Sequence, residues 1–279
     1  MFFALLFLLL SSPRAAGSGP DPAPSPGAGK AGRAGKVTPF PEFSNSLGMS
    51  FVHVPSGNFL MGAGEFDLGV HERERPRHPV TITRDFYAGK TEVTQAQFER
   101  LMGFNPSRHK NPSSPVERVD FQDVSRFISR LNAREETASY RLPTEAEWEY
   151  FARAGTTSPY FFGDSPERLG EYAWYRENSG GRTRPVGGLS PNPWGLFDVY
   201  GNVSEMLSDW FRTDYYAESP RGDPPGPLSG SGRVLRGGSF ENGVFGSRSS
   251  FRDYYPESGS EGVNGFRLVK EMEDGAGLR

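Results

Sequence analysis

The chain has 279 residues, a formal net charge of −3, 35 glycines, 24 prolines, 22 phenylalanines and no cysteine. Without a thiol there is no disulfide, thiolate nucleophile, iron–sulfur cluster or zinc–thiolate site, and with so small a net charge no large basic field argues for nucleic acid, which is not expected as a partner. Glycine and aromatic residues in these amounts point to a loop-rich, aromatic-cored fold rather than a helical bundle.

Phe2–Leu10 is an unbroken apolar run, too short to cross a bilayer as a helix, and the small residues Ala15 and Gly17 follow it. That pattern predicts a signal peptide over residues 1–17, a secreted or periplasmic address and no membrane span. Residues 18–39 are Gly, Pro, Ala and Ser with a few charges, a composition expected of a flexible linker. A folded domain is expected over 40–270, with a C-terminal tail at 271–279.

Within the domain, Phe51, Val52 and Val54 alternate toward a turn at Pro55-Ser56-Gly57, and Phe59–Met61 resumes, which reads as a hairpin. Gly64–His78 is polar and charged and reads as a solvated loop. Val80–Ile82 and Phe86–Tyr87 form a further strand region. Thr94 and Gln97 make a capping box that opens a helix burying Phe98, Leu101 and Met102. Asp120 caps a second helix, with Val124, Phe127, Ile128 and Leu131 on the helical period. Thr144 and Glu147 open a third, which stops at Gly155. Beyond it lie short aromatic segments, glycines and two apolar runs, Arg233–Phe240 and Gly265–Val269. Helices early and strands with long loops late give an α+β class.

The organising stretch is Asn192–Phe211, NPWGLFDVYGNVSEMLSDWF. Its apolar residues follow neither the helical nor the strand period, and Asp198, Glu205 and Asp209 sit among them. So aromatic a segment is expected to thread the core, its backbone bonding to side chains or an ion, because buried unpaired amides are costly.

RLPTEAEWEYFARAG (Arg141–Gly155), PNPWGLFDVYGNVSEMLSDW (Pro191–Trp210), RVLRGGSF (Arg233–Phe240) and NGFRLV (Asn264–Val269) resemble, in order, the formylglycine-generating enzyme or sulfatase-modifying-factor family. FLMG followed by ERPRHPVTI, and KTEVTQAQF, fit the same pattern, so the resemblance covers Phe51 to Val269. It implies the formylglycine-generating-enzyme variant of the C-type-lectin fold, with little regular secondary structure and bound calcium. The positions aligned with that family's structural calcium site are the side chains of Asp198 and Glu205 and the carbonyls of Gly201 and Val203. Carboxylate and carbonyl oxygens are the hard ligands calcium takes. The family usually has Trp where Ser204 and Met206 stand here. At its second calcium site, expected near Tyr172–Asn178, Ala173 replaces an Asn ligand.

The family's founding reaction oxidises a substrate cysteine to formylglycine through two cysteines that bind copper(I), placed after RGGS. In Glu241–Asp253 there is no cysteine, and Asn242, Ser247 and Ser249 do not replace soft thiolates. That reaction by the known route is chemically excluded, and copper is not expected. The histidines His53, His71, His78 and His109 show no metal-ligand spacing. Arg248, Arg252, Asp253, Tyr254 and Tyr255, in a segment of Tyr, Ser, Gly and Arg, are candidate ligand contacts for a peptide, protein or glycan. Two further readings stand beside this one. One is a cysteine-independent oxidoreductase or protein-modifying enzyme of the same fold; the other is a ligand-binding protein diversified by a retroelement.

Overall fold

The computed structural model describes residues 41–256 and 262–272. The expected signal peptide, the linker and most of the tail lie outside the described residues. The strands are β1 (Glu42–Ser44), β2 (Ser50–Val54), β3 (Gly57–Met61), β4 (His78–Ile82), β5 (Phe86–Gly89) and β6 (Tyr140–Arg141), followed late in the chain by β7 (Ser204–Trp210), β8 (Arg233–Arg236), β9 (Asp253–Tyr255), β10 (Asn264–Gly265) and β11 (Val269–Glu271). Three α-helices are described: α1 (Gln95–Met102), α2 (Phe121–Arg134) and α3 (Glu145–Arg153). No described helix is long and apolar enough to cross a membrane.

The strands form a five-stranded sheet in the order β1-β2-β5-β11-β6, a four-stranded sheet β10-β7-β8-β9 and the pair β3-β4. The expected hairpin across Pro55-Ser56-Gly57 does not form. β2 pairs with β1 and β5, while β3 pairs with β4, so the turn carries the chain from one sheet to another. Alternation alone cannot separate a hairpin from two strands that part at a turn. β11 is the last strand added, and it binds β5 on one side and β6 on the other.

All three helix starts behave as their caps dictate. The side chains of Thr94, Asp120 and Thr144 accept from the backbone N–H groups of Gln97, Asp123 and Glu147, and the first and third caps are reciprocal boxes. Phe98 of α1 and Phe127 of α2 stack at 5.6 Å, and Phe266 packs on both. α3 is different: every residue is buried, including Glu145, Glu147, Glu149 and Arg153. Buried charge is tolerated only when it is paired and hydrogen-bonded.

Here it is paired throughout. Arg153 meets Glu149 at 2.7 Å, Arg236 of β8 meets the other oxygen of Glu149, and Arg252 clasps Glu145 at 2.6 and 2.8 Å. Each guanidinium also closes irregular backbone. Arg236 donates to the carbonyls of Ser249, Ser250 and Phe251, Arg153 to those of Gly62 and Ser158, and Arg252 to that of Arg73. A planar fork with five donors suits this task, since a carboxylate uses only part of it.

Two outcomes follow. Arg236→Met takes one of two arginines from buried Glu149, leaving it Arg153 and the Gly62 N–H, and removes the donor to three carbonyls. The urea unfolding free energy should therefore fall by about 3–5 kcal/mol, whereas removing exposed Arg168 should leave the midpoint unchanged. Asp209 is buried beside α3, and burial, then repulsion from Glu145, pushes its carboxyl up to about 7. A raised carboxyl favours the folded state when protonated, so its contribution is complete below the unfolded value of about 4 and is lost as pH rises through about 7. Wild type should therefore lose on the order of 2–4 kcal/mol more than Asp209→Asn between about pH 5 and pH 8. Equal losses in thermal melts would remove Asp209 from the account.

Candidate functional site

Asn192 (3 % exposed) sets the course of the organising stretch. Its Oδ1 accepts from Trp194 and Leu196 N–H, and its Nδ2 donates to the Phe151 carbonyl at 2.7 Å. At Gly201, φ is 77°, and a Cβ there would lie 2.2 Å from the Trp174 carbonyl oxygen, so only glycine fits. Asp198 (φ 53°) and Asn202 (φ 57°) are also left-handed, and each is held by its side chain. Asp198 Oδ2 accepts from Gly187 N–H at 2.6 Å, and Asn202 Oδ1 accepts from Arg184 N–H at 3.0 Å.

Glu92, just ahead of α1, is the residue that sequence reasoning missed. It is 1 % exposed and accepts from Asn202 Nδ2 at 2.9 Å and Val203 N–H at 3.1 Å. Its surroundings, Lys90-Thr91-Glu92-Val93, carry no signal that separates it from a surface carboxylate. Glu205 is held by Arg267, with the closest contact at 2.7 Å, and by Trp148 Nε1 at 2.8 Å. Arg267 also donates to the carbonyls of Gly89 and Phe197, tying β5 to the organising stretch.

Arg267 bonds Glu205 alone of the three carboxyls, and Glu92 and Asp198 lie close enough to feel both charges. Burial, then the charges of Asp198 and Glu205, drives Glu92 well above the usual carboxylate range, and burial raises Asp198 to about 6. Asp198 Oδ1 is buried without a hydrogen-bond partner. An orphaned acceptor beside a carboxylate excess suits a divalent cation in both charge and chemistry. Glu205 fits less directly, because Arg267 and Trp148 already occupy both of its oxygens. Among the described residues no three acidic or histidine side chains converge as ligands. A cation would rest on Asp198 and on main-chain carbonyls, with Glu205 as a neighbouring charge.

The five candidate ligand contacts divide. Arg248 and Arg252 are buried. Arg248 grips Glu74 at 2.6 and 2.9 Å and the Gly69 carbonyl at 2.8 Å, while Arg252 is sealed against Glu145. Glu74 itself is fully buried, although it lies in the stretch expected to be a solvated loop: a short helical turn, Glu72–Glu74, carries it inward to Arg248. Asp253, Tyr254 and Tyr255 form β9 at the edge of the four-stranded sheet. Asp253 faces Arg73 at 3.4 Å, and Tyr254 stacks on Phe211 at 4.7 Å. The composition of the segment predicted one surface; the structure turns its arginines inward and sends its two tyrosines to opposite faces of the sheet, Tyr254 exposed over Phe211 and Tyr255 against the core.

Arg248 lies on the floor of a cleft of about 800 Å³ between Gly64–Leu68, Thr156–Pro166 and Phe245. Phe66, Leu68 and Phe245 are 88 %, 73 % and 49 % exposed and line the same cleft, a grouping of exposed apolar side chains of the kind found at contact surfaces. Glu65, Asp67 and Asp164 ring it, and Arg77 adds one cation. Arg248 is neutralised by Glu74, so the rim is net acidic. A second cavity of about 790 Å³ lies at the end of the five-stranded sheet, where Arg141 already donates to both Glu147 and Glu271.

Residues 38–272 match the sulfatase-modifying factor enzyme 1-like domain. The chain is 35 % identical over 196 residues to the formylglycine-generating enzyme of Streptomyces coelicolor, covering 65 % of this chain and 60 % of that enzyme. It is 29 % identical over 240 residues to the chaperone protein LppX of Paenibacillus barcinonensis, covering 68 % of this chain and 81 % of that protein. Among solved structures, Treponema denticola variable protein 1 matches with a TM-score of 0.75 at 27 % identity, covering 83 % of this chain and 99 % of that one. PvdO from Pseudomonas aeruginosa matches with a TM-score of 0.75 at 27 % identity, over 84 % and 99 % of the two chains. The chain belongs to the sulfatase-modifying factor family and has the formylglycine-generating-enzyme variant of the C-type-lectin fold.

Proposed function

We propose that this protein is a secreted or periplasmic binding member of the family, stabilised by calcium, that does not generate formylglycine by the cysteine route. The absence of cysteine from the whole chain supports the negative half of that reading. The acidic, aromatic-lined cleft carries the positive half. Its three exposed apolar side chains would seat an apolar anchor, and its carboxylates would attract a cationic neighbour, so the ligand class is a peptide segment pairing apolar with basic side chains. Arg248 serves from beneath: it fixes Gly69, and Gly69 packs against Phe245, so the cleft wall is set before a ligand arrives. The burial of Ser247–Arg252 favours a fixed site over a diversified one, since replacing Arg248 or Arg252 would strand a carboxylate.

Calcium would be held by Asp198 Oδ1 and the carbonyls of Gly201 and Val203, offsetting the carboxylate excess around Arg267. Its role is structural: the ion would satisfy a backbone that no strand ladder can pair.

Each half has its measurement. On fluorescent peptide arrays, short peptides with Phe or Leu beside Arg or Lys should be retained, and Phe245→Ala or Asp164→Asn should weaken retention roughly tenfold. If such peptides are not held, or if any peptide is chemically altered by the protein, the binding role is overturned in favour of an enzyme. Stripping with a chelator should lower the melting temperature by about 5–10 °C, as expected for loss of a ligand present at a hundredfold excess over its Kd. Restored calcium should recover it in wild type but not in Asp198→Asn. An identical melt with and without calcium would sink the metal proposal.

A further inference from the structure

The C-terminal end of α1 and the loop after it form a second surface, outside both clefts. α1 stops at Gly103 (φ 84°), which turns the chain so that Phe104 emerges 41 % exposed, its ring edge against Phe98. Arg100, Arg108, Lys110 and Arg130 are exposed, and none has an ion-pair partner among the described residues. Two of them are fixed close to Phe104 by neutral acceptors. Arg130 donates to the carbonyls of Leu101 and Met102, each at 3.2 Å, and Lys110 donates to the Asn105 carbonyl at 2.5 Å. A carbonyl orients a cation without cancelling its charge. The nearby carboxylates are Glu99, on α1, and Glu117, which is buried under the loop and engaged by Arg108 and His109 N–H.

Four cations against two carboxylates, on a chain whose net charge is −3, make a local field opposite to that of the molecule. We propose that this platform docks on an anionic phospholipid surface, with Phe104 entering the headgroup layer and the four cations at phosphate level. Each arginine or lysine near an anionic leaflet adds to such binding, and an aromatic tip flanked by cations matches an interfacial anchor. An anionic surface reached by Phe104 also meets Arg130 and Lys110, which are held on the carbonyls of Leu101, Met102 and Asn105 beside it. The proposal is independent of the peptide cleft, which lies among other residues.

Co-sedimentation of the full chain with phosphatidylcholine vesicles, with and without phosphatidylglycerol, tests it. The wild type should pellet only with the anionic vesicles, and raised salt should release it. Arg108→Glu should reduce the pelleted fraction roughly tenfold, and Phe104→Ala severalfold, while Arg221→Glu outside the patch should have no effect. Neither Phe104 nor Arg108 is in the core, and an unchanged melt of each variant would show that folding is intact. A wild type that stays in the supernatant with both vesicles overturns the proposal. So does retention on polyglutamate beads but not on vesicles, which would assign the platform to an acidic protein.

Discussion

Buried arginine–glutamate pairs hold the irregular backbone of this protein in place. Arg153, Arg236, Arg248, Arg252 and Arg267 are each no more than 1 % exposed, and each faces a buried glutamate: Glu149, Glu74, Glu145 or Glu205. Much of the fold between α3 and β8 lacks regular structure, so its carbonyls have no ladder to bond. The guanidinium groups supply those donors from within the core, and the glutamates make their burial tolerable. Replacing such pairs with apolar side chains is often neutral in a regular core, but here the arginines also hold the backbone. Hydrophobic packing compacts the chain; the charged lattice decides which irregular path it takes.

That lattice also joins the functional regions. The segment Ser247–Arg252 crosses between two glutamates far apart in sequence, Glu74 and Glu145, so the loop carrying Phe66 and Leu68 is set by the same contacts as the cleft floor. Arg267 plays the equivalent part at the candidate cation site, where it pairs with Glu205 and leaves Asp198 Oδ1 without a partner. The chain has no cysteine, and the proposed binding role rests on the acidic, aromatic cleft that this frame holds open.

What the sequence made legible followed local rules. The three helix starts were readable because a capping residue and its partner lie within one turn, and the family frame was readable from six motifs in order. The α+β class followed from the order of elements. The hairpin at Pro55-Ser56-Gly57 failed because pairing is non-local: β2 and β3 alternate correctly, yet each finds a partner elsewhere. Glu74 was hidden in a charge run, HERERPRH, where only a three-dimensional partner, Arg248, distinguishes the buried carboxylate from its solvated neighbours. In Glu241–Asn264, composition did not separate buried Arg248 and Arg252 from exposed Tyr254, because an arginine in a recognition loop and one in a buried pair look alike in sequence. Phe245, also exposed, stood among those residues unremarked.

Native-state hydrogen exchange tests most directly whether the buried ion pairs hold the irregular backbone. If buried ion pairs fix the irregular backbone, the N–H groups of Ala63, Ser249 and Phe251, which bond to Glu74, Pro159 and Arg248 carbonyls, should exchange only through global unfolding. Their opening free energy should match that of central strand β5, and Glu74→Gln should lower it for this set before it lowers it for β5. Fast, sub-global exchange at these positions in wild type would contradict the account, because the loops would then be held by packing alone.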